Sequence, residues 1–356
     1  MRAELPVLER LAYLNTGTFG PLPRRTVDEA VRWQQRVLVE GRSSLTLWEE
    51  TKELRTALRE ALARLIGAQA GALALTTSTT EGCDIVVSGL RLGPEDEVVT
   101  TDCEHPGLLG ALHVSPAGVR VARIRDRPAS EALAAIEAEL NDRTRLVAIS
   151  HVAWTTGAVL PVAKLSGRRF PVLVDGAQSV GTIPVDVGEL GCDFYTVSGQ
   201  KWLLGPDTTG ALYVGPDWIH DLSLTAPSYL SWEDTVELVP WPDARRFESI
   251  WIGPGPLAGL LASLRFAEEV GGERFQQASD AAEACRSLCA ESAEVVTEHG
   301  QATIVTFRPS GDPAELVASL AEQGVVVRDL PGLGWVRVSC GYWTNGEDLE
   351  RLAAGL

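Results

Sequence analysis

Lysine is scarce in this chain of 356 residues; there are three, Lys52, Lys164 and Lys201. Positive charge as a whole is in deficit: 31 Lys and Arg stand against 48 Asp and Glu, a formal net charge of −17. Such a surface repels phosphate backbones and anionic headgroups, so no nucleic acid and no membrane is expected as a partner. Long apolar runs are missing too. Nothing approaches the ~18 apolar residues of a membrane span. The start, Met1-Arg-Ala-Glu-Leu-Pro-Val-Leu-Glu-Arg10, has no apolar segment of signal-peptide length. The expected location is cytoplasmic. Cys83, Cys103, Cys192, Cys285, Cys289 and Cys340 are scattered, with no Cys-x-x-Cys pair and no histidine cluster beside them. That spacing argues against a metal or disulfide framework, and most are expected to be buried free thiols. Internal repeats and low-complexity tracts are absent as well.

What is present is a globular composition. Apolar residues make up 45%, enough to build a large domain and a smaller one. Residues 25–40 and 48–66 carry apolar positions at spacings of three and four, which predicts two helices. From residue 72 onward short apolar runs alternate with helical stretches. The predicted strands are 72–76, 97–101, 119–124, 146–151, 172–175, 194–198 and 210–214, with helices at 82–90, 107–112 and 130–141. This alternation implies an α/β fold with a mostly parallel sheet covered by helices. Ligands of such sheets bind outside the carboxyl ends of the strands. Residues 226–256 are rich in proline and tryptophan (Trp232, Trp241, Trp251) and read as a long functional loop and crossover. Helices at 256–270 and 272–291 follow, then strand–helix alternation to the end.

Lys201 is the lysine out of place. It follows the apolar run Tyr195-Thr-Val-Ser-Gly-Gln200 and precedes Trp202, Leu203 and Leu204. Lys52 lies on a charged helix face, and Lys164 among loop and helix-start residues. A lysine among apolar groups loses part of its proton affinity, and the free amine can form an imine. Asp175 closes another strand, Val172-Leu-Val-Asp175-Gly-Ala-Gln178. It is either a helix cap or the carboxylate that keeps a pyridine nitrogen protonated, in which case Gln178 is placed for the ring's phenolic oxygen. Thr76-Thr-Ser-Thr-Thr80-Glu81-Gly82 is either a capped helix start or a phosphate cradle. His105 ends a further strand, where a flat ring either packs structurally or stacks on a cofactor and moves protons. His151 offers the same choice more weakly, and Trp154 is placed to shape a pocket. Gly199 and Lys201 lack the preceding glycine of a Walker A loop. Gly253-Pro-Gly255-Pro-Leu-Ala-Gly259 misses the dinucleotide fingerprint by one residue.

In combination, Thr79-Thr80, Glu104-His105, Ser150-His-Val through Gly157, Val174-Asp175-Gly-Ala-Gln178-Ser and Ser198-Gly-Gln-Lys201-Trp resemble the class V aminotransferase superfamily, which includes the cysteine desulfurases. The segments around Thr80, Asp102–Gly107 and His151–Pro161 are most similar to the cysteine/cystine C–S lyases. The resemblance implies a fold-type I pyridoxal-phosphate enzyme: a large domain with a seven-stranded sheet (residues 23–250), a small C-terminal α/β domain (251–356) and an N-terminal segment (1–22) packed on the small domain. It implies pyridoxal 5'-phosphate bound by Thr79, Thr80, His105, Asp175, Gln178, Ser198, Gln200 and Lys201. Lys201 would carry the cofactor, His105 would stack on it, and Arg337 would bind the substrate α-carboxylate, with Arg328 available for a distal one. An amino-acid substrate and a homodimer with its site between subunits are implied as well.

The chain also departs from the family. Between Arg328 and Arg337 the stretch is short and lacks the reactive cysteine of a desulfurase; Cys340 follows the arginine in a strand-like context. Gln200 stands where histidine is usual, and an amide cannot become cationic. Ile250 and Trp251 replace the Gly-Thr pair that reaches a partner's phosphate, and Trp251 is expected to narrow the substrate pocket. The expected reaction is β-elimination from cystine, cysteine or an S-substituted cysteine. Transamination or epimerisation on the same site is the alternative. Desulfuration, or a non-catalytic role, fits the residues less well.

Overall fold

The computed structural model describes residues 1–356. Seven strands form the central sheet: β1 Leu73–Thr76, β2 Glu97–Thr101, β3 Gly118–Ala122, β4 Thr144–Ser150, β5 Val172–Asp175, β6 Phe194–Ser198 and β7 Gly210–Val214. Their spatial order is β1-β7-β6-β5-β4-β2-β3, parallel except for β7, which runs against both its neighbours. Alternation along the strands divides the apolar side chains between two cores. Val99, Val147, Ile149, Val172 and Val174 face one core, and Val98, Leu146, Ala148 and Leu173 face the other. Each fully buried aliphatic side chain contributes roughly 1.5–3 kcal/mol, so both faces must be covered for the sheet to persist.

Helices α1 Arg24–Glu40 and α2 Leu45–Leu65 cover one face. Two further helices, α3 Thr79–Gly89 and α4 Pro106–Val114, begin just beyond the carboxyl ends of β1 and β2. Helix α5, Pro254–Val270, follows the expected domain boundary at 250/251, yet Leu257, Ala258, Leu260, Leu261 and Leu264 enter the same core as Leu54, Leu58 and Leu62. Its packing therefore belongs with the large sheet. A second sheet lies further along the chain, antiparallel throughout, with β8 Glu294–Val295, β9 Ile304–Arg308, β10 Arg328–Leu330 and β11 Trp335–Ser339 in the order β8-β9-β11-β10.

The N-terminal segment joins this small unit. Ala12–Tyr13 pairs in parallel with Val325–Val326, and Ala12 and Leu14 lie in its core. Residues 226–256, expected as irregular crossover, instead contain an antiparallel ribbon of Trp232–Asp234 and Val239–Pro240. The Asp234 carboxylate accepts from Val236 N and Glu237 N and so closes its turn. Glu248 then pins the segment to α2. Its carboxylate pairs with Arg55 and Arg59, all three buried, and accepts from Leu75 N at 3.0 Å. No helix is long and apolar enough to cross a membrane.

Candidate active site

Strand ends and helix starts converge at one edge of the sheet. Asp175, the last residue of β5, is 4% exposed, and its Oδ1 accepts from Ala177 N at 2.9 Å. Lys201 leaves β6 in the turn that follows Ser198. Desolvation holds its amine down at about 8, with Arg337 and Arg328 helping and Asp175 opposing. A neutral amine is thus within reach near physiological pH. Gly20 makes this turn possible from the other side: its N donates to Gln200 O at 2.8 Å, and any side chain there would strike the Lys201 carbonyl.

Gln178 is locked by two bonds. Its Nε2 donates to Gly17 O and its Oε1 accepts from Trp202 Nε1, both at 2.8 Å. One amide hydrogen remains for a ligand oxygen. His105 caps α4: its Nδ1 accepts from Gly107 N at 3.1 Å, which places the ring proton on Nε2. Burial and the charge of Lys201 hold the ring down at about 4, so it stays neutral. Its edge meets Trp154, with centroids 5.4 Å apart and planes at 83°.

Thr79 and Thr80 form the first turn of α3, capped by Ser78, whose Oγ accepts from Glu81 N at 3.2 Å. The remaining N–H groups of that turn are what an anion would use. Glu81 itself is occupied; it accepts from Thr77 N, Thr77 Oγ1 and Ser249 Oγ at 2.6–2.7 Å. Ser198 Oγ donates to Gln200 Oε1 at 3.1 Å, which places Gln200 beside Ser198 with its amide hydrogens still to spend.

Two arginines complete the cluster. Arg328 and Arg337 are directly opposite across the β10–β11 hairpin, so their side chains share one face. Both donate to Thr18 Oγ1, at 3.4 and 3.0 Å, and both guanidinium groups lie over Trp154, at 5.7 and 5.8 Å from the ring centre. Arg337 is 1% exposed, its Nε has no partner, and burial with Arg328 nearby brings it down to about 9. A buried cation with an unspent donor suits an anionic ligand.

Residues 15–20 tie the two units together, and sequence reasoning missed them. Asn15 and Thr18 hold Arg337, Gly17 holds Gln178, and Gly20 holds the Lys201 turn. The Asn-Thr-Gly-Thr-Phe-Gly run signals a turn, but nothing in its spacing points to residues 178, 200 or 337. Two residues singled out in the sequence make other contacts here. Within one chain Trp251 contacts α2 instead of the Lys201 cluster: it stacks on Trp48 (5.2 Å, 8°) and faces Arg55. It lines a separate cavity of about 780 Å³ with Trp33, Trp48 and Tyr229. His151 is structural. Its Nδ1 bonds Tyr195 Oη at 2.9 Å in the sheet interior, and Tyr195 bonds Ser179.

The donor set fits pyridoxal phosphate: a desolvated amine, a buried carboxylate, a helix N-terminus and a buried guanidinium with no carboxylate partner gather at the carboxyl end of the large sheet. Fold and site together define a fold-type I pyridoxal-phosphate enzyme. The chain belongs to the class-V aminotransferase family, whose model matches residues 12–352. Isopenicillin N epimerase of Streptomyces clavuligerus is 30% identical over 96% of this chain and 93% of its own length. A cysteine desulfurase of Salmonella agona is 28% identical over 100% of this chain and 96% of its own. Two solved structures of C-DES superpose with TM-scores of 0.93 and 0.92 at 28% and 29% identity, covering 98–99% of this chain and 98% of theirs. One holds glycine covalently linked to the pyridoxal-phosphate cofactor; the other shows this cystine C–S lyase with its product cysteine persulfide.

Proposed function

We propose that this protein is a carbon–sulfur lyase that eliminates the sulfur substituent of cystine or an S-substituted cysteine, giving pyruvate, ammonia and a thiol or persulfide. Pyridoxal phosphate, when bound, supplies an electron sink for negative charge at the substrate Cα. Lys201 Nζ would hold it, and the lysine's neutral amine would take the Cα proton. Asp175 would keep the ring nitrogen protonated, Gln178 would offer its free amide hydrogen to the phenolic oxygen, and neutral His105 and Trp154 would wall the ring. Thr79, Thr80, Ser198 and Gln200 would hold the phosphate. Arg337 takes the α-carboxylate, and Arg328 takes a second one.

The observation that carries the reading is the short hairpin between the arginines. Residues 331–334 alone join β10 to β11, and Gly332 and Gly334 take positive φ to close it. This hairpin carries no thiol, and all six cysteines of the chain are buried. Elimination needs no such thiol, whereas desulfuration does. Likeness to the cystine lyase C-DES supports the same choice. Pyruvate release from cystine and S-substituted cysteines by the purified holoenzyme tests it, and no release from any of them refutes it.

Epimerisation is the second reading, supported by the 30% identical epimerase. It shares the removal of the Cα proton but returns it on the other face. Exchange of the substrate Cα proton for deuterium without pyruvate would favour it. A homodimer fits the exposed apolar residues Leu38, Val39 and Leu45, each over 80% exposed, and Ile250; sedimentation at a monomer's mass would contradict it.

A further inference from the structure

Beside Asp175 the sheet edge carries a second buried carboxylate that the proposed chemistry leaves unused. Glu104 lies between β2 and α4, is 4% exposed, and precedes His105 in the chain. One oxygen accepts from Thr101 Oγ1; the other accepts from Ser150 N at 2.8 Å and from Ser150 Oγ. Burial pushes Glu104 up to about 7, against the hydrogen bonds from Ser150 and Thr101 and with the like charge of Asp175 adding to it. A buried carboxyl group costs stability unless hydrogen bonds offset it, so its position calls for a reason.

Its partners supply one. Ser150 closes β4 and is the cross-strand neighbour of Asp175, and the next residue's N, His151 N, donates to Asp175 O at 3.0 Å. Glu104 therefore spans two loops. One presents His105 through the capped start of α4. The other is the β4–β5 edge that presents Asp175. These are the two groups assigned to opposite tasks on the cofactor ring.

We propose that Glu104 is a positioning residue of the active site, whose carboxyl group couples the loop presenting His105 to the strand end presenting Asp175. The inference rests on the reading that His105 and Asp175 both face the cofactor. It distinguishes bonding from charge. In Glu104→Gln the amide oxygen accepts from Ser150 while the amide nitrogen donates to Thr101 Oγ1, so the tie survives without the titrating group. In Glu104→Ala the tie is gone, and Ser150 N is left buried without an acceptor. In Ser150→Ala the backbone bond remains and only the hydroxyl bond is lost.

The test compares reconstituted wild type with these three variants by cofactor dissociation constant, circular dichroism of the bound cofactor's visible band, and the kcat and KM of elimination. Loss of bonds to a buried carboxyl weakens Glu104→Ala about tenfold or more in cofactor affinity. Its visible dichroism should fall, and the loss in turnover should appear in kcat more than KM, because the arginines stay in place. Glu104→Gln should stay within about threefold on every measure, with Ser150→Ala between the two. Wild-type affinity and dichroism in Glu104→Ala would overturn the proposal. So would a Glu104→Gln variant as impaired as the alanine variant. Should Glu104→Ala fail to fold, Ser150→Ala decides: reduced dichroism beside an intact Glu104→Gln supports the tie, and unchanged dichroism overturns it. No cofactor band in the wild type would overturn the cofactor reading itself, a result separable from either failure above.

Discussion

Arg328 gives the sharpest test of substrate recognition. It sits directly opposite Arg337 across the hairpin, the two share Thr18 Oγ1, and both lie over Trp154. Like charges on cross-strand neighbours repel, and a substrate with two carboxylates relieves that repulsion. Replacing Arg328 by Gln removes one charge-assisted hydrogen bond, worth about 1.5–3 kcal/mol. The corresponding fall in kcat/KM for cystine is roughly 10- to 150-fold. For S-methylcysteine, whose single carboxylate goes to Arg337, the expected change is less than about threefold. Arg328 also lowers the proton affinity of Lys201, but that effect acts on both substrates and cancels in their ratio. The assay is pyruvate release, read as the ratio of the two kcat/KM values. Equal losses for both substrates would refute the idea that Arg328 takes a distal carboxylate.

The amine of Lys201 predicts a pH profile for reconstitution. With its titration near 8, about a quarter of the amine is neutral at pH 7.5, against roughly 0.1% for an ordinary lysine. Cofactor uptake by the apoprotein should rise with pH through about 8 and level off above 9; a rate still climbing past pH 10 would contradict the desolvated setting. Glu248→Ala should leave Arg55 and Arg59 buried without a counter-charge, all three side chains being under 10% exposed. The loss should be about 3–5 kcal/mol of stability, read as a lower melting temperature of the apoprotein. An unchanged melting temperature would show that water reaches the arginines.

Strand positions and the mostly parallel sheet were legible because short apolar runs between helical stretches are a local signal. Val172–Asp175 and Phe194–Ser198 were readable to the residue, since apolar runs stop where a carboxylate or a Ser-Gly turn begins. Lys201 and Asp175 stood out for the same reason: each is a charge at the end of an apolar strand. What stayed hidden depends on contacts between distant parts of the chain. Thr18 is more than three hundred residues from Arg328, and no local pattern foretells that bond. The resemblance pointed to Arg328 and Arg337, but that they stand directly opposite one another became visible only through the hairpin register. The intrachain neighbour of Trp251 is Trp48, stacked on it from α2, a pairing across more than two hundred residues that no local pattern signals. The ribbon at 232–240 escaped notice because its strands are only two and three residues long, too short for alternation to register.

The central claim is that Lys201, alone among three lysines, carries the cofactor. Reconstitution with pyridoxal phosphate, borohydride reduction and peptide mass spectrometry test it directly. The account predicts one reduced pyridoxyl-phosphate adduct per chain, on the peptide containing Lys201, and none in Lys201→Ala. An adduct on Lys52 or Lys164, or no adduct in the wild-type protein, would contradict it.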